Sequence, residues 1–113
     1  MKKAIALVVA MLAPATATAD QLTGQEVFDV LTSDVRNYSG GSVSTFRRDG
    51  TFVFTHSGGN REEGTYRITQ RGVVMVNDEA GGREYTFVVA ERDGTYYFNY
   101  GDRLNQGTVY TFE

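Results

Sequence analysis

The hydrophobic and polar positions of the chain follow two different periods, one before and one after Gly41. Before it, apolar residues recur at three- and four-residue spacing, which is typical of one face of an α-helix. These residues are Val27, Phe28, Val30, Leu31 and Val35. Thr23 and Glu26 have the spacing of a capping box, in which each side chain hydrogen-bonds the other residue's backbone amide. The pattern predicts an amphipathic helix over about residues 23–37.

After Gly41, apolar and polar residues alternate in short runs, which is typical of half-buried β-strands. The predicted strands cover residues 42–48, 51–56, 62–69, 73–77, 83–90, 95–100 and 108–112. The connections are too short for parallel crossovers, so the sheet is predicted to be antiparallel. Asp49-Gly50 and Asp93-Gly94 have the sequence of type I′ hairpin turns, whose two central residues both need positive φ.

Aromatic residues occupy one face of most predicted strands. Phe52, Phe54 and His56 share a face of one strand, and Tyr96, Phe98 and Tyr100 share a face of another. One aromatic face per strand indicates a sheet with one buried side. The predicted fold class is therefore α+β and mostly β. An N-terminal amphipathic helix packs on a strongly bent antiparallel sheet, or on a small barrel, of seven or eight strands.

A weak internal repeat relates two of the predicted hairpins. Residues 48–54, Arg-Asp-Gly-Thr-Phe-Val-Phe, match residues 92–98, Arg-Asp-Gly-Thr-Tyr-Tyr-Phe, at an offset of 44 positions. Two explanations stay open at this point. Either two hairpins converged on the same favourable turn, or a two-hairpin unit was duplicated.

The first 19 residues have the three parts of a cleavable signal peptide. Lys2 and Lys3 precede ten apolar residues, Pro14 follows them, and Ala17-Thr18-Ala19 supplies small side chains before a cleavage site. Ten apolar residues are too few to span a membrane, which takes roughly 20. We predict a signal peptide at 1–19, cleavage near Ala19/Asp20, and a single periplasmic or secreted domain at 20–113.

Composition narrows the possible partners of that domain. Both lysines lie in the signal peptide, so nine arginines face fourteen Asp and Glu residues, a net charge of −5. This acidity disfavours nucleic acid and anionic membranes as partners. The absence of cysteine excludes disulfides, a thiolate nucleophile and sulfur ligands for a metal.

Candidate catalytic residues are few. His56 is the only histidine, and neighbouring Ser57 points to the opposite face of a strand. The acidic pair Glu62-Glu63 is interpreted as solvated charge at a sheet edge, because adjacent strand residues do not converge. The glycine pairs lack the sequence of a phosphate-binding loop. We therefore predict no enzymatic activity, no cofactor and no metal site.

The aromatic residues are the remaining candidates for function. They predict a pocket or patch for an apolar ligand or a partner protein. The candidate ligand-binding residues are Phe52, Phe54, His56, Tyr96, Phe98 and Tyr100. The loops 57–60 and 101–107 are expected at its rim.

The chain resembles the small lipocalin-like secreted bacterial proteins of unknown function. The resemblance lies in residues 22–27, Leu-Thr-Gly-Gln-Glu-Val, in residues 46–52, Phe-Arg-Arg-Asp-Gly-Thr-Phe, and in residues 63–66, Glu-Gly-Thr-Tyr. It implies a short helix with an antiparallel barrel-like sheet, and it brings no catalytic residues. The resulting hypothesis is an exported, non-enzymatic binding module for a small apolar ligand. The alternative is an inhibitor or interaction protein for another exported protein, such as a hydrolase.

Overall fold

The computed structural model describes residues 19–113, and the predicted signal peptide lies almost wholly outside them. One α-helix and nine β-strands follow one another along the chain. They are β1 Asp20–Gln21, α1 Gly24–Ser33, β2 Arg36–Asn37, β3 Val43–Phe46, β4 Thr51–Thr55, β5 Arg61–Ile68, β6 Val74–Asp78, β7 Arg83–Arg92, β8 Thr95–Tyr100 and β9 Val109–Phe112. In this part of the chain, no helix has the length and apolar character needed to cross a membrane.

Strands β2 to β9 pair in sequence order, each antiparallel to the next. The two ends of this series then meet. Asn37 and Glu113 exchange both backbone hydrogen bonds at 3.0 Å, and Ser39 N donates to Thr111 O at 2.8 Å. The sheet is therefore a nearly closed antiparallel barrel of eight strands, which is the second of the two predicted alternatives, a bent sheet or a small barrel. Strand β1 lies outside the series and pairs with β7.

The interior of the barrel is filled by the aromatic face of the strands. Phe52 and Phe87 are fully buried, and Phe46, Phe98 and Phe112 are at most 2% exposed. Phe87 stacks on Phe98 with ring centroids 4.0 Å apart. An eight-stranded barrel is just wide enough for inward side chains to fill it. The centre is accordingly a packed core and not a channel.

Helix α1 begins at the predicted cap. Thr23 Oγ1 accepts a hydrogen bond from the Glu26 amide, and the Glu26 carboxylate accepts one from the Thr23 amide at 2.8 Å. Gly24 lets the helix approach the loop after β5, because a Cβ there would lie 2.2 Å from the carbonyl oxygen of Thr69. The buried face of α1 is formed by Val27 and Leu31, both 0% exposed.

The helix ends at Ser33, four residues before the predicted end. Asp34 is extended, with φ −162° and ψ 165°, and Val35 is 46% exposed and does not belong to the apolar face. Arg36 and Asn37 form β2 instead, which is needed to close the barrel. Arg36 also donates from Nε to the carbonyl of Val30 at 2.8 Å, which satisfies one free carbonyl in the last turn of the helix. Tertiary pairing thus overrides the local helical pattern.

Helix α1 lies at one end of the barrel, which we call the helix end. Its first residue bonds Gln70 between β5 and β6, and Phe28 packs under Arg48 between β3 and β4. The connections 56–60, 79–82 and 101–108 lie at the opposite end, because strand direction alternates around the barrel. We call this the open end.

The two Asp-Gly turns differ despite their shared sequence. Asp93 and Gly94 have φ of 52° and 84°, as the predicted type I′ turn requires. At the first site only Gly50 has positive φ, 93°. There the Asp49 carboxylate accepts hydrogen bonds from the amide and hydroxyl of Thr51, at 2.9 and 2.7 Å, in a three-residue loop. The type I′ prediction is wrong for Asp49-Gly50, so the two halves of the repeat share a sequence but not a turn conformation.

The end of α1 is tested by a pair of apolar truncations. Leu31→Ala is expected to lower the free energy of unfolding by about 2–5 kcal/mol, because it leaves a cavity in the core. Val35→Ala is expected to change it by less than about 0.5 kcal/mol, because Val35 is outside the helix and exposed. Urea denaturation followed by circular dichroism measures both. Equal losses for the two variants would contradict a helix that ends at Ser33.

Candidate functional site

A cavity of about 230 Å³ opens at the open end of the barrel. Its deeper wall is aromatic and its mouth carries hydroxyl, imidazole and backbone groups. The lining residues are Tyr38, Gly40, Ser42, Phe54, His56, Ser57, Phe98, Tyr100 and Tyr110. Strand alternation explains the lining, because residues two apart point to the same face. Phe54 and His56 therefore both point inward, and so do Phe98 and Tyr100. The side chains that fill the core therefore continue into the cavity wall.

Several pairs of aromatic rings in the wall meet nearly at right angles, although Tyr38 and Phe54 are tilted by only 35°. The planes of Tyr38 and Phe98 are 86° apart, those of Phe98 and Tyr100 are 77° apart, and those of Tyr100 and Tyr110 are 78° apart. Edge-to-face contacts of this kind are favourable because the positive ring edge meets the negative ring face. Because their planes differ, these rings border the cavity on several sides instead of forming one stack.

A buried carboxylate organises the side of the cavity where His56 lies. Glu62, on β5, is 4% exposed, and its two oxygens contact three side chains. Oε2 lies 2.6 Å from His56 Nε2 and accepts from Arg83 Nη2 at 3.0 Å. Oε1 accepts from the Tyr85 hydroxyl at 2.5 Å. These contacts compensate the loss of water around the charge.

The position of Glu62 corrects the interpretation of Glu62-Glu63 as solvated edge charge. Glu63 fits that interpretation, with its side chain 56% exposed, but Glu62 does not. Along β5 buried and exposed residues alternate, so Glu62 points inward with Gly64 and Tyr66. The two carboxylates diverge, as expected of strand neighbours, and only one of them faces solvent.

His56 has partners on both sides of its ring. Its Nε2 faces Glu62, and its Nδ1 lies 3.3 Å from the hydroxyl oxygen of Ser42. The ring also stacks on Phe54, with centroids 5.1 Å apart. A carboxylate and a hydroxyl thus both lie within hydrogen-bonding reach of His56, and neither contact was predicted from the sequence.

Burial raises the pKa of two tyrosines beside the cavity. The pKa of Tyr38 rises because its hydroxyl is buried, where it hydrogen-bonds Ser44 Oγ at 2.8 Å. The pKa of Tyr85 rises because of burial and then because its proton is held by the Glu62 carboxylate. Both phenols stay protonated well above pH 10, and Tyr85 remains a hydrogen-bond donor to Glu62.

The cavity brings together four of the six predicted ligand-binding residues: Phe54, His56, Phe98 and Tyr100. Phe52 is instead fully buried in the core. Tyr96 lies near the helix end, where the Arg36 guanidinium is 5.4 Å from its ring centroid. Tyr96 shares a face with Tyr100, but four residues of strand separate them by about 13 Å. Sharing a face did not mean sharing a site.

Several residues of the site escaped the sequence interpretation. Tyr38, Ser42 and Tyr110 line the cavity, and Glu62 and Arg83 lie behind His56. One signal for Glu62 was available, since period-two alternation places it on the same face as Tyr66. The same alternation in the predicted strand 42–48 places Ser42 on the face of Phe46, whereas no such signal existed for Tyr38, which lies between β2 and β3.

The two loops expected at the rim behave differently. Ser57, from the loop 57–60, lines the cavity. The loop 101–107 contributes no lining residue, and the amide of its Asn105 hydrogen-bonds the side chain of Asn99 at 3.1 Å. Asn99 lies between the inward residues Phe98 and Tyr100, so this loop folds over the outer face of the barrel.

The helix end carries a larger depression, of about 870 Å³, between α1 and β5. Phe28, Arg48 and Tyr66 lie along it, and it is a shallow surface groove that is more open than the cavity. Within residues 19–113, no group of three or more His, Asp or Glu side chains is placed to hold a metal ion. The aromatic cavity is the better candidate site, because it combines enclosure with an oriented polar group.

Comparison with known proteins gives no relative for this chain: no protein-family model, curated protein or solved structure matches it.

The burial of Glu62 is tested against its exposed neighbour. Glu62→Gln is expected to lower the free energy of unfolding by about 1.5–3 kcal/mol, because hydrogen bonds to a buried charge are lost. Glu63→Gln is the matched control and is expected to change it by less than about 0.5 kcal/mol. Both values come from urea denaturation at neutral pH. Similar effects of the two variants would mean that Glu62 is solvated like Glu63.

Because Tyr38 and Tyr85 stay protonated in the folded protein, we expect the free energy of unfolding to decrease at alkaline pH. An unfolded tyrosine ionises near its ordinary pKa of about 10, whereas buried Tyr38 and Tyr85 keep their protons. The free energy of unfolding is therefore expected to be unaffected by these groups below about pH 9 and to fall as pH rises above about 10. Urea denaturation at a series of pH values measures the decrease.

Tyr85→Phe provides the control for this pH dependence. Removing one such group reduces the slope by at most about 1.4 kcal/mol per pH unit. A slope that is the same in the variant and the wild type would show that the Tyr85 phenol ionises alike in the folded and unfolded chain.

Proposed function

We propose that this protein is an exported binding module that holds a small, mainly apolar ligand in the cavity at the open end of the barrel. The observation that carries the proposal is the aromatic cavity beside His56, whose ring is oriented by buried Glu62. Pockets for small molecules are typically apolar concavities with a few fixed polar groups. The resemblance to lipocalin-like secreted proteins and the predicted signal peptide support a periplasmic or secreted carrier.

The size of the cavity limits the ligand. A dry apolar cavity of about 150 Å³ holds one benzene molecule, and sites for drug-sized ligands start near about 300 Å³. At about 230 Å³, the cavity suits one ring with a small substituent. The ring would contact Phe54 and Phe98 in the deeper wall.

We propose binding without turnover, although Ser42, His56 and Glu62 are the residue types of a serine hydrolase triad. The Ser42–His56 contact of 3.3 Å is long for an activated hydroxyl. Glu62 also receives Arg83 and Tyr85, so its contacts are those of a buried charge within a hydrogen-bonded network. Hydrolysis of an activated ester that Ser42→Ala abolishes would contradict this part of the proposal.

Ligand binding is tested with toluene as the apolar probe. Toluene is expected to raise the melting temperature and to shift the NMR signals of Phe54 and Phe98. Ser42→Leu places a larger side chain in the cavity and is expected to abolish both effects. Ser39→Leu is the matched control at an exposed position outside the lining, and it is expected to leave them intact. Unchanged melting and spectra of the wild type with toluene would contradict the proposed function.

A further inference from the structure

The cavity presents one nitrogen of His56 to a ligand. Nε2 faces Glu62, which is buried and does not line the cavity, whereas Nδ1 faces Ser42, which does. The nitrogen available on the cavity side is therefore Nδ1. Its present partner is a hydroxyl at 3.3 Å, a long contact that a better-placed group would replace at little cost.

The orientation of the His56 imidazole is fixed by contacts that do not involve Nδ1, the nitrogen on the cavity side. The 2.6 Å contact with Glu62 and the stacking on Phe54 determine the plane and direction of the ring. Glu62 is itself held by Arg83 and Tyr85. Nδ1 is thus a polar atom at a fixed position beside an aromatic wall.

From these contacts we infer that the ligand is a single-ring phenolic compound, whose hydroxyl displaces Ser42 from Nδ1 of His56. The ring matches the volume and the perpendicular walls of the cavity. A hydroxyl both donates and accepts, so it pairs with Nδ1 in the way that Ser42 does. This inference rests on the proposed function and specifies the chemical class of the ligand.

The test compares phenol with toluene, which has nearly the same shape but no hydroxyl. Dissociation constants for both are measured by NMR titration of the wild type, His56→Phe and Ser42→Ala. His56→Phe is expected to weaken the binding of phenol by about 3- to 10-fold, which corresponds to the loss of one hydrogen bond. The affinity for toluene is expected to stay unchanged. Ser42→Ala removes the competing hydroxyl and is expected to strengthen phenol relative to toluene.

A spectroscopic measurement reports on the same contact directly. His56 is the only histidine, so its ring ¹⁵N signals are unambiguous. Phenol is expected to shift the Nδ1 signal, and toluene is not. Glu62→Gln is expected to weaken phenol and to reduce this shift, because Glu62 is a positioning residue for the imidazole, and Glu63→Gln is the matched control.

The outcomes separate the ligand class from the function. If neither probe binds, the proposed function fails. If toluene binds and the ratio of phenol to toluene affinity is the same in His56→Phe as in the wild type, the cavity is a binding site but the inference of a phenolic ligand is overturned. A fall in relative phenol affinity in Ser42→Ala overturns the displacement of Ser42.

Discussion

A carboxylate inside an aromatic barrel must be surrounded by hydrogen-bond donors, and the open end of this protein is arranged around that requirement. Glu62 is only 4% exposed and lies on the inward face of β5 together with Tyr66. An isolated charge at such a position would cost several kcal/mol. Side chains from β7 and the end of β4 converge on it, and their convergence fixes the orientation of His56. The polar part of the site is thus a consequence of burying one charge.

The barrel gives the two ends of the molecule different properties. The helix end is covered by α1 and is packed with Val27 and Leu31. Within residues 19–113 no helix covers the open end, and its inward positions carry His56, Glu62 and tyrosines instead of aliphatic residues. The same alternation that fills the core therefore leaves a cavity where the large apolar side chains stop. The candidate site therefore depends on strand register, since a shift of one residue would turn His56 and Glu62 outward.

The sequence predicted seven of the nine strands, β3 to β9, to within a few residues, and it predicted that the sheet is antiparallel, because alternation and short glycine-rich connections are local signals. It failed where tertiary pairing decides the outcome. Residues 34–37 continue the helical pattern, yet β2 is required to close the barrel. Glu62 looks like a surface charge until its donors are placed by β7, a distant strand. Tyr96 and Tyr100 share a face but lie at opposite ends of one strand, so the rise per residue of a strand already separates them.

A crystal structure of the protein with phenol would show whether the cavity beside His56 is a ligand site organised by Glu62. We expect the ring against Phe54 and Phe98, the phenol oxygen within hydrogen-bonding distance of His56 Nδ1, and Nε2 still bound to Glu62. Phenol bound only elsewhere on the protein, or side chains filling the cavity, would contradict this expectation.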